Sequence, residues 1–408
     1  MRIFLLVPLL AALPGAATAD PLTFEAALAK SAAQAPSLRA RTFDIDARRS
    51  AAQAAGQLPD PKLGVGLDNF PISGPPAFTF NGDSMTMGRL GVSQDVPNLA
   101  KRRARSGRAE ADIGVAEAER LAEVRRVRIA TALAWIDLAY AERRVAAIDK
   151  AIADLATYVS TATSSVVSGS SRPAQSLEIR RAIAALEDQR SEVEAQVAQA
   201  RAILSRWTGD PHPTIEGLAP QFEVDPDRLR TAIEQHPDLA TAMARLQVAE
   251  ANVTLARAGK RPDWGFDVAY QRRSGGYGDM VSAGVTVSLP LFSKHRQEPM
   301  IASSVAEEGA ALAQREDVRR TLNADLDGAI ADHVMHHEQW MRARDTLLPL
   351  AREKLDLETA SYSAGRAALT DVIQAQTELV NAQLQMIERE ATVIRDAARL
   401  TLTYGVDQ

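Results

Sequence analysis

The chain has 408 residues, 47 Lys and Arg against 52 Asp and Glu, a formal net charge of -5, and no cysteine. Without Cys there is no disulfide framework, no thiolate metal site and no Cys nucleophile. The mildly acidic balance argues against nucleic acid as a partner. Hydrophobic residues at 46% with aromatics at only 5% favour long helices over a compact mixed core.

At the N-terminus, Arg2 precedes an apolar run from Ile3 to Leu13, and Ala17-Thr18-Ala19 fits a small-x-small cleavage site before Asp20. This reads as a signal peptide over 1–19, which predicts export. The run is shorter than the ~20 residues a spanning helix needs. No later stretch holds 18 consecutive apolar residues. An exported chain of this kind is soluble, surface-bound or a β-barrel.

Taken in chain order, the patterns predict helices over Thr23–Gln34 and Leu38–Gly56, strands over about 62–70 and 84–96, a helix from Pro97 to about Ser165, and another over Pro173–Trp207. The same order returns: helix Leu239–Ala258, strands over about 264–271 and 280–291, helix from about Gln297 to Thr359, a turn at Tyr362–Arg366 and helix Leu369–Leu402. Local sequence repeats with it. Asp60-Pro61-Lys62-Leu63-Gly64-Val65 resembles Arg261-Pro262-Asp263-Trp264-Gly265-Phe266, and Gly169 and Gly209 match Gly365 and Gly405. The expected organisation is therefore a first repeat (20–208), a connector rich in Pro (209–236) and a second repeat (237–408), far longer than the ~20–50 residues of solenoid units.

The long helices carry coiled-coil spacing. Leu186, Val193 and Ala200 lie seven apart, and so do Val372, Leu379, Met386, Val393 and Leu400. Heptads sustained in this way imply helix-on-helix packing over a long distance.

The strands alternate with period two. Val281, Ala283, Val285, Val287 and Leu289 share one face, opposite Ser282, Gly284, Thr286 and Ser288; Trp264, Phe266, Val268 and Tyr270 are opposite Gly265, Asp267, Ala269 and Gln271. Alternation over ~9–11 residues marks outer-membrane barrel strands. It makes Phe266, Val281, Val285 and Val287 candidate lipid-facing residues, the alternative being one face of a soluble sandwich. Four strands cannot close a barrel, and an open edge is not tolerated in hydrocarbon. Either the strands stay in water or several chains share one barrel. Three chains would supply twelve strands.

The motifs Ser93-Gln94-Asp95-Val96-Pro97 with Lys101-Arg102-Arg103, Val287-Ser288-Leu289-Pro290-Leu291-Phe292, and Tyr362-Ser363-Ala364-Gly365 with Leu369-Thr370-Asp371-Val372-Ile373 resemble the TolC family of outer-membrane efflux channels. The strand-Pro-basic segment is most similar to the heavy-metal (CzcC-like) branch. Asn98-Leu99-Ala100 and Ser293-Lys294-His295 depart from the turns common among such relatives. The resemblance implies a mainly α fold with a small β part. A 12-stranded transmembrane barrel, shared by three chains, would continue into a long periplasmic α-helical barrel.

It further implies a homotrimer set in outer-membrane lipid, docked through a periplasmic adaptor (membrane fusion protein) onto an inner-membrane RND-type pump. Such a duct is not an enzyme and needs no cofactor. It passes heavy-metal cations or drugs to the exterior. Two other readings are a periplasmic coiled-coil adaptor or scaffold and the outer channel of a type I protein-secretion system. No serine-hydrolase elbow, P-loop, dinucleotide fingerprint or zincin motif is present in the sequence.

By the same resemblance, Asp371 contributes to a ring of acids at the pore constriction, with Gln374 one turn on, where some relatives have a second acid. Read from the residues alone, Asp371 is equally a carboxylate stabilised at a helix start. Gly169 and Gly365 lie in the two turns that dock the adaptor in the family, and Gly is also the ordinary end of a helix. His333 and His337, spaced i, i+4, could share a metal, but no third ligand accompanies them and a solvated helical face is the simpler reading. Lys101, Arg102, Arg103 and Arg105 either meet anionic groups at the membrane interface or start a solvated helix.

Overall fold

The computed structural model describes residues 21–167, 173–273 and 276–405. Helices α1 (Phe24–Gln34) and α2 (Pro36–Ala55) lead into strands β1 (Lys62–Asp68) and β2 (Met87–Val96), followed by helices α3 (Leu99–Val167) and α4 (Pro173–Thr208). The order then recurs as α5 (Pro226–Ala232), α6 (Pro237–Ala258), β3 (Asp263–Arg273), β4 (Met280–Ser288), α7 (Gln297–Arg342), α8 (Leu348–Ser363) and α9 (Leu369–Tyr404). No described helix is long and apolar enough to cross a membrane. The expected signal peptide, 1–19, lies outside the described residues.

Proline explains two departures from the expected elements. The helix anticipated from Gln297 to Thr359 is interrupted by a π-helical turn at Ala343–Leu347. Pro349, in the first turn of α8, has no N–H for the carbonyl four residues back, and a wider turn accommodates its ring. Strand β4 stops at Ser288 rather than Leu291 because Pro290 cannot donate to a ladder. At the other end of the first hairpin, β1 stops at Asp68, where Asn69 turns to a φ of 51°, and β2 starts at Met87 rather than Ser84. The connector also holds an unanticipated short helix, α5, whose start carries Pro226 and Asp227. Both residue types suit a helix N-terminus.

By packing, the chain forms two compact units, each drawing on both halves of the sequence. One comprises 21–35, 126–225 and 328–403 among the described residues. Its core joins Phe24 and Leu28 of α1 to Trp135, Ile136 and Leu138 of α3 and Leu204 of α4. Phe24 meets Trp135 edge to face at 5.7 Å, and the Trp135 Nε1–H donates to the Leu22 carbonyl at 2.9 Å. Leu22 forms a parallel bridge with Ile215, and Lys30 pairs with Asp210 at 2.9 Å. A second cluster runs along α3, α4 and α9 through Ile148, Leu155, Ile179, Val193, Ile373 and Val380. Each such side chain contributes ~1.5–3 kcal/mol on burial, and their seven-residue spacing is what aligns them on one stripe.

The other unit comprises 36–125, 226–327 and 404–405 among the described residues. Its buried positions include Leu38 and Ile45 of α2, Leu239, Leu246 and Val253 of α6, and Leu322 and Leu326 of α7. Glu119 on α3 accepts from Arg41 of α2 at 2.7 Å and from Arg245 of α6 at 2.9 Å. This unit carries the β-sheet.

Candidate functional site

The four strands form one antiparallel sheet in the order β1-β2-β3-β4. Its register puts Leu63, Val65 and Leu67 of β1 beside Val92, Leu90 and Gly88 of β2. Next to these stand Val268 and Tyr270 of β3. Trp264, Phe266, Val268 and Tyr270 then pair with Val287, Val285, Ala283 and Val281 of β4. One face of the sheet is thus almost wholly apolar, and it is open: Val65 is 78% exposed, Val281 72% and Val285 60%. All four candidate lipid-facing residues, Phe266, Val281, Val285 and Val287, stand on this face.

The opposite face is small and polar. One row across it reads Gly64, Gly91, Ala269, Ser282, and the next reads Lys62, Ser93, Asp267, Gly284. The absence of side chain at Gly284 has a local use: a Cβ there would meet an Asp267 carboxylate oxygen at 2.5 Å, so the carboxylate lies across the glycine. Tyr270 donates its hydroxyl to Asp279, beyond the end of β3. Among the described residues, one edge of β1 and one edge of β4 have no neighbouring strand.

The helices that adjoin the strands, α2, α3, α6 and α7, all do so at the same end of the sheet, since β1 and β3 begin there while β2 and β4 finish there. Asn98 organises this end. Its side-chain oxygen accepts from the Lys101 N–H at 2.8 Å, an N-cap for α3. Its own N–H and side-chain amide donate to Asp263 at 2.8 and 2.9 Å. Lys101 completes the knot with an ion pair to Asp263. The basic cluster is therefore divided: Lys101 holds Asp263, Arg102 donates to the Gly56 carbonyl at 2.9 Å, and Arg103 and Arg105 are exposed. Asn after Pro97 and before a helical pattern was the signal for this cap.

The turn between α8 and α9 belongs to the first unit. Gly365 takes φ 71°, the Arg366 N–H donates to Ser361 and the Gly365 N–H to Tyr362, both at 2.9 Å. This is a Schellman ending, which needs the left-handed conformation that glycine adopts freely. Asp371 follows at the third position of α9 and is exposed. Its carboxylate accepts from the Ala368 N–H at 2.9 Å, which is the reciprocal half of a capping box. Gln374, also exposed, donates to Glu378 at 3.2 Å. The Lys354 ammonium, 2.6 Å from Glu378, is the main cause holding that carboxyl below its usual range, with Gln374 second. Gly169 lies outside the described residues.

The histidines are engaged separately. His336 meets Asp396 at 2.7 Å, His337 packs on Trp340, and burial pushes the His333 imidazole below its ordinary pKa. The His333 and His337 rings stand 6.3 Å apart. Among the described residues, no three His, Cys, Asp or Glu side chains converge as a metal site.

The model of the family "Outer membrane efflux protein" matches residues 27–210 and 229–406. The chain is 24% identical over 376 residues to the cobalt-zinc-cadmium resistance protein CzcC of Cupriavidus metallidurans, covering 90% of this chain and 86% of that one. Among solved structures, CusC superposes with a TM-score of 0.80 at 15% identity, covering 94% of this chain and 92% of its own. The outer membrane protein VceC of Vibrio cholerae superposes with a TM-score of 0.75 at 20% identity, covering 94% and 96%.

Proposed function

We propose, since this chain belongs to the outer membrane efflux protein family and is an efflux channel of that membrane, that three copies form a passive exit duct for heavy-metal cations. The observation that carries the trimer is the sheet. It has an exposed apolar face, a face of small and polar residues, and two edges without a partner strand among the described residues. In hydrocarbon those edges must be paired. Joining β4 of one copy to β1 of the next is a head-to-tail contact that closes on rotation. Three copies give twelve strands, an even number above the ~8 of the smallest bacterial barrels. Phe266, Val281, Val285 and Val287 then face lipid, and Ser282, Gly284 and Thr286 face the lumen.

Three exposed copies of Asp371 around the same axis make an acidic ring that favours cations, with Gln374 lining the duct beside it. Gly365 and Gly169 lie at the turns that meet a periplasmic adaptor, which joins the duct to an RND-type inner-membrane pump. The pump supplies the energy and this chain does no chemistry. The family model's match in two successive pieces supports the two repeats, 20–208 and 237–408, about the connector 209–236, behind a leader of 1–19. The likeness to a cobalt, zinc and cadmium resistance protein supports metal cargo.

The test combines a cell and a bilayer. A deletion strain should lose tolerance to cobalt, zinc or cadmium and regain it with the wild-type chain. Purified protein should form trimers whose reversal potential in a salt gradient shows cation preference, reduced in Asp371→Asn. Unaltered metal tolerance would remove the cargo assignment, and unchanged selectivity in Asp371→Asn would remove the ring.

A further inference from the structure

At the helix-bearing end of the sheet, a cavity of about 510 Å³ opens beside the foot of β4, where the chain leaves Ser288 and turns towards α7. Three cations line it: Lys101, Arg261 and Arg296. Lys101 is already matched by Asp263. Arg261 and Arg296 are exposed, and neither side chain has an ion pair or hydrogen bond among the described residues. Two guanidinium charges therefore face the cavity without counter-charge.

The other wall is apolar. Leu289 lies one residue past the end of β4 and Leu291 beyond a tight turn at Pro290, where its N–H donates to the Leu289 carbonyl at 2.9 Å; they are 61% and 75% exposed, and Phe292 is 76% exposed. The side-chain oxygen of Gln297, also in the lining, is buried with no hydrogen-bond partner among the described residues.

We infer that this cavity holds the headgroup of an anionic glycerophospholipid from the membrane leaflet on the helix-bearing side. Guanidinium presents paired N–H donors in the geometry of a phosphate, and charge-assisted bonds of this kind are the strong ones. The phosphodiester sits against Arg261 and Arg296. A headgroup hydroxyl donates to the Gln297 oxygen. The acyl chains run along Leu289 and Leu291 onto the apolar face of the sheet. A free phosphate would satisfy the arginines and leave the apolar wall in water, whereas an anionic lipid covers both walls. The assignment rests on the outer-membrane reading, which sets the apolar face of the sheet in lipid.

The test uses full-length trimers reconstituted in vesicles of phosphatidylethanolamine and phosphatidylglycerol, re-extracted in detergent and weighed by native mass spectrometry. Wild type should retain phosphatidylglycerol in preference to phosphatidylethanolamine. Arg261→Gln/Arg296→Gln should lower the phosphatidylglycerol retained by about tenfold or more, the scale expected for losing charged hydrogen bonds. Arg103→Gln, exposed on α3 outside the cavity, should leave retention unchanged.

Equal retention in wild type and the double variant, or equal retention of the two lipids, overturns the inference. So does full displacement of phosphatidylglycerol by inorganic phosphate, which would make the site one for the free anion. A fall in trimer yield with retention per trimer unchanged would make it a subunit contact and equally overturn it. Bilayer conductance of wild type, measured in parallel, reports on the channel itself: conducting trimers that retain no lipid refute only the cavity assignment.

Discussion

The packing of α3, α4 and α9 buries Ile179, Val193 and Leu369 at 1% exposure or less, whereas Val65, Val281 and Val285 on the sheet are 60% to 78% exposed. Both regions are built from the same aliphatic residues. They differ in what period the sequence gives them. Seven-residue spacing turns a stripe toward neighbouring helices, and the stripe is consumed within the chain. Two-residue spacing turns a whole face outward, and the face is left for another solvent. An exposed apolar surface of this extent is expected only where lipid or a partner covers it, so the contrast separates a self-sufficient core from a face that needs a cover.

The largest effect should come from opening the core. Trp135 is fully buried and holds the Leu22 carbonyl, so Trp135→Ala should cost ~3–5 kcal/mol. Phe266→Ala, at an exposed position of the sheet, should leave the helical core intact. Limited proteolysis of the two variants reads the difference. Equal protection of residues 126–225 in both would abolish the distinction between the regions.

Next in size is the sheet's own asymmetry. Val285→Arg sets a charge on the apolar face at ~2–4 kcal/mol if near the bilayer midplane, while Thr286→Arg, one residue on, points to the small and polar face. Assembly of heat-resistant trimers should fail for the first and persist for the second. The reverse order would exchange the two faces.

The same contrast explains what was legible in the sequence. Heptads at Leu186, Val193 and Val372 and alternation at Val281–Val287 are periodic, so element type and facing could be read directly. Breaks were harder. The π turn at Ala343–Leu347 and the early end of β4 depend on single prolines, Pro349 and Pro290, whose effect is set by the carbonyl or strand they deprive. At the candidate site, Gly365 was readable because its use is a backbone angle. The knot of Asn98, Lys101 and Asp263 was not, because it joins residues more than 160 positions apart. The cavity at Arg261 and Arg296 was missed because its lining is assembled from the end of α6, the foot of β4 and the start of α7, which no local spacing brings together.

A smaller effect is expected where the helical unit turns. Gly365 has φ 71° and open space around a would-be Cβ. Gly365→Ala therefore meets no clash and costs only the left-handed conformation, ~1–2 kcal/mol. Thermal unfolding should show that loss, and Gly365→Asn should recover part of it, since Asn tolerates the left-handed region. If Asn and Ala behave alike, side-chain tolerance of the left-handed region is not what the turn responds to.

The smallest effect should be a dependence on pH, in the unit that carries the sheet. His236 caps α6: its Nδ1 accepts from the Asp238 N–H at 3.1 Å, which requires that nitrogen to be unprotonated. The imidazole is buried and tilts against the Tyr404 ring at 5.8 Å. Burial is the main cause of a lowered pKa, the Arg125 charge adds to it, and Asp238 opposes it. The unfolded chain takes up the proton near the ordinary ~6.5, while the folded chain resists until a lower pH. Between those two values the unfolded state holds more protons, so stability rises with pH. The contribution of neutral His236 is complete above ~6.5 and is lost as pH falls from there through the folded value, with the cap itself worth ~1 kcal/mol. His236→Asn keeps a capping oxygen that does not titrate over this range. Its unfolding midpoint, followed from neutral to mildly acidic pH, should fall less steeply than that of wild type. Parallel curves would mean that protonation of His236 does not couple to folding, and that the cap is held by something other than the neutral imidazole.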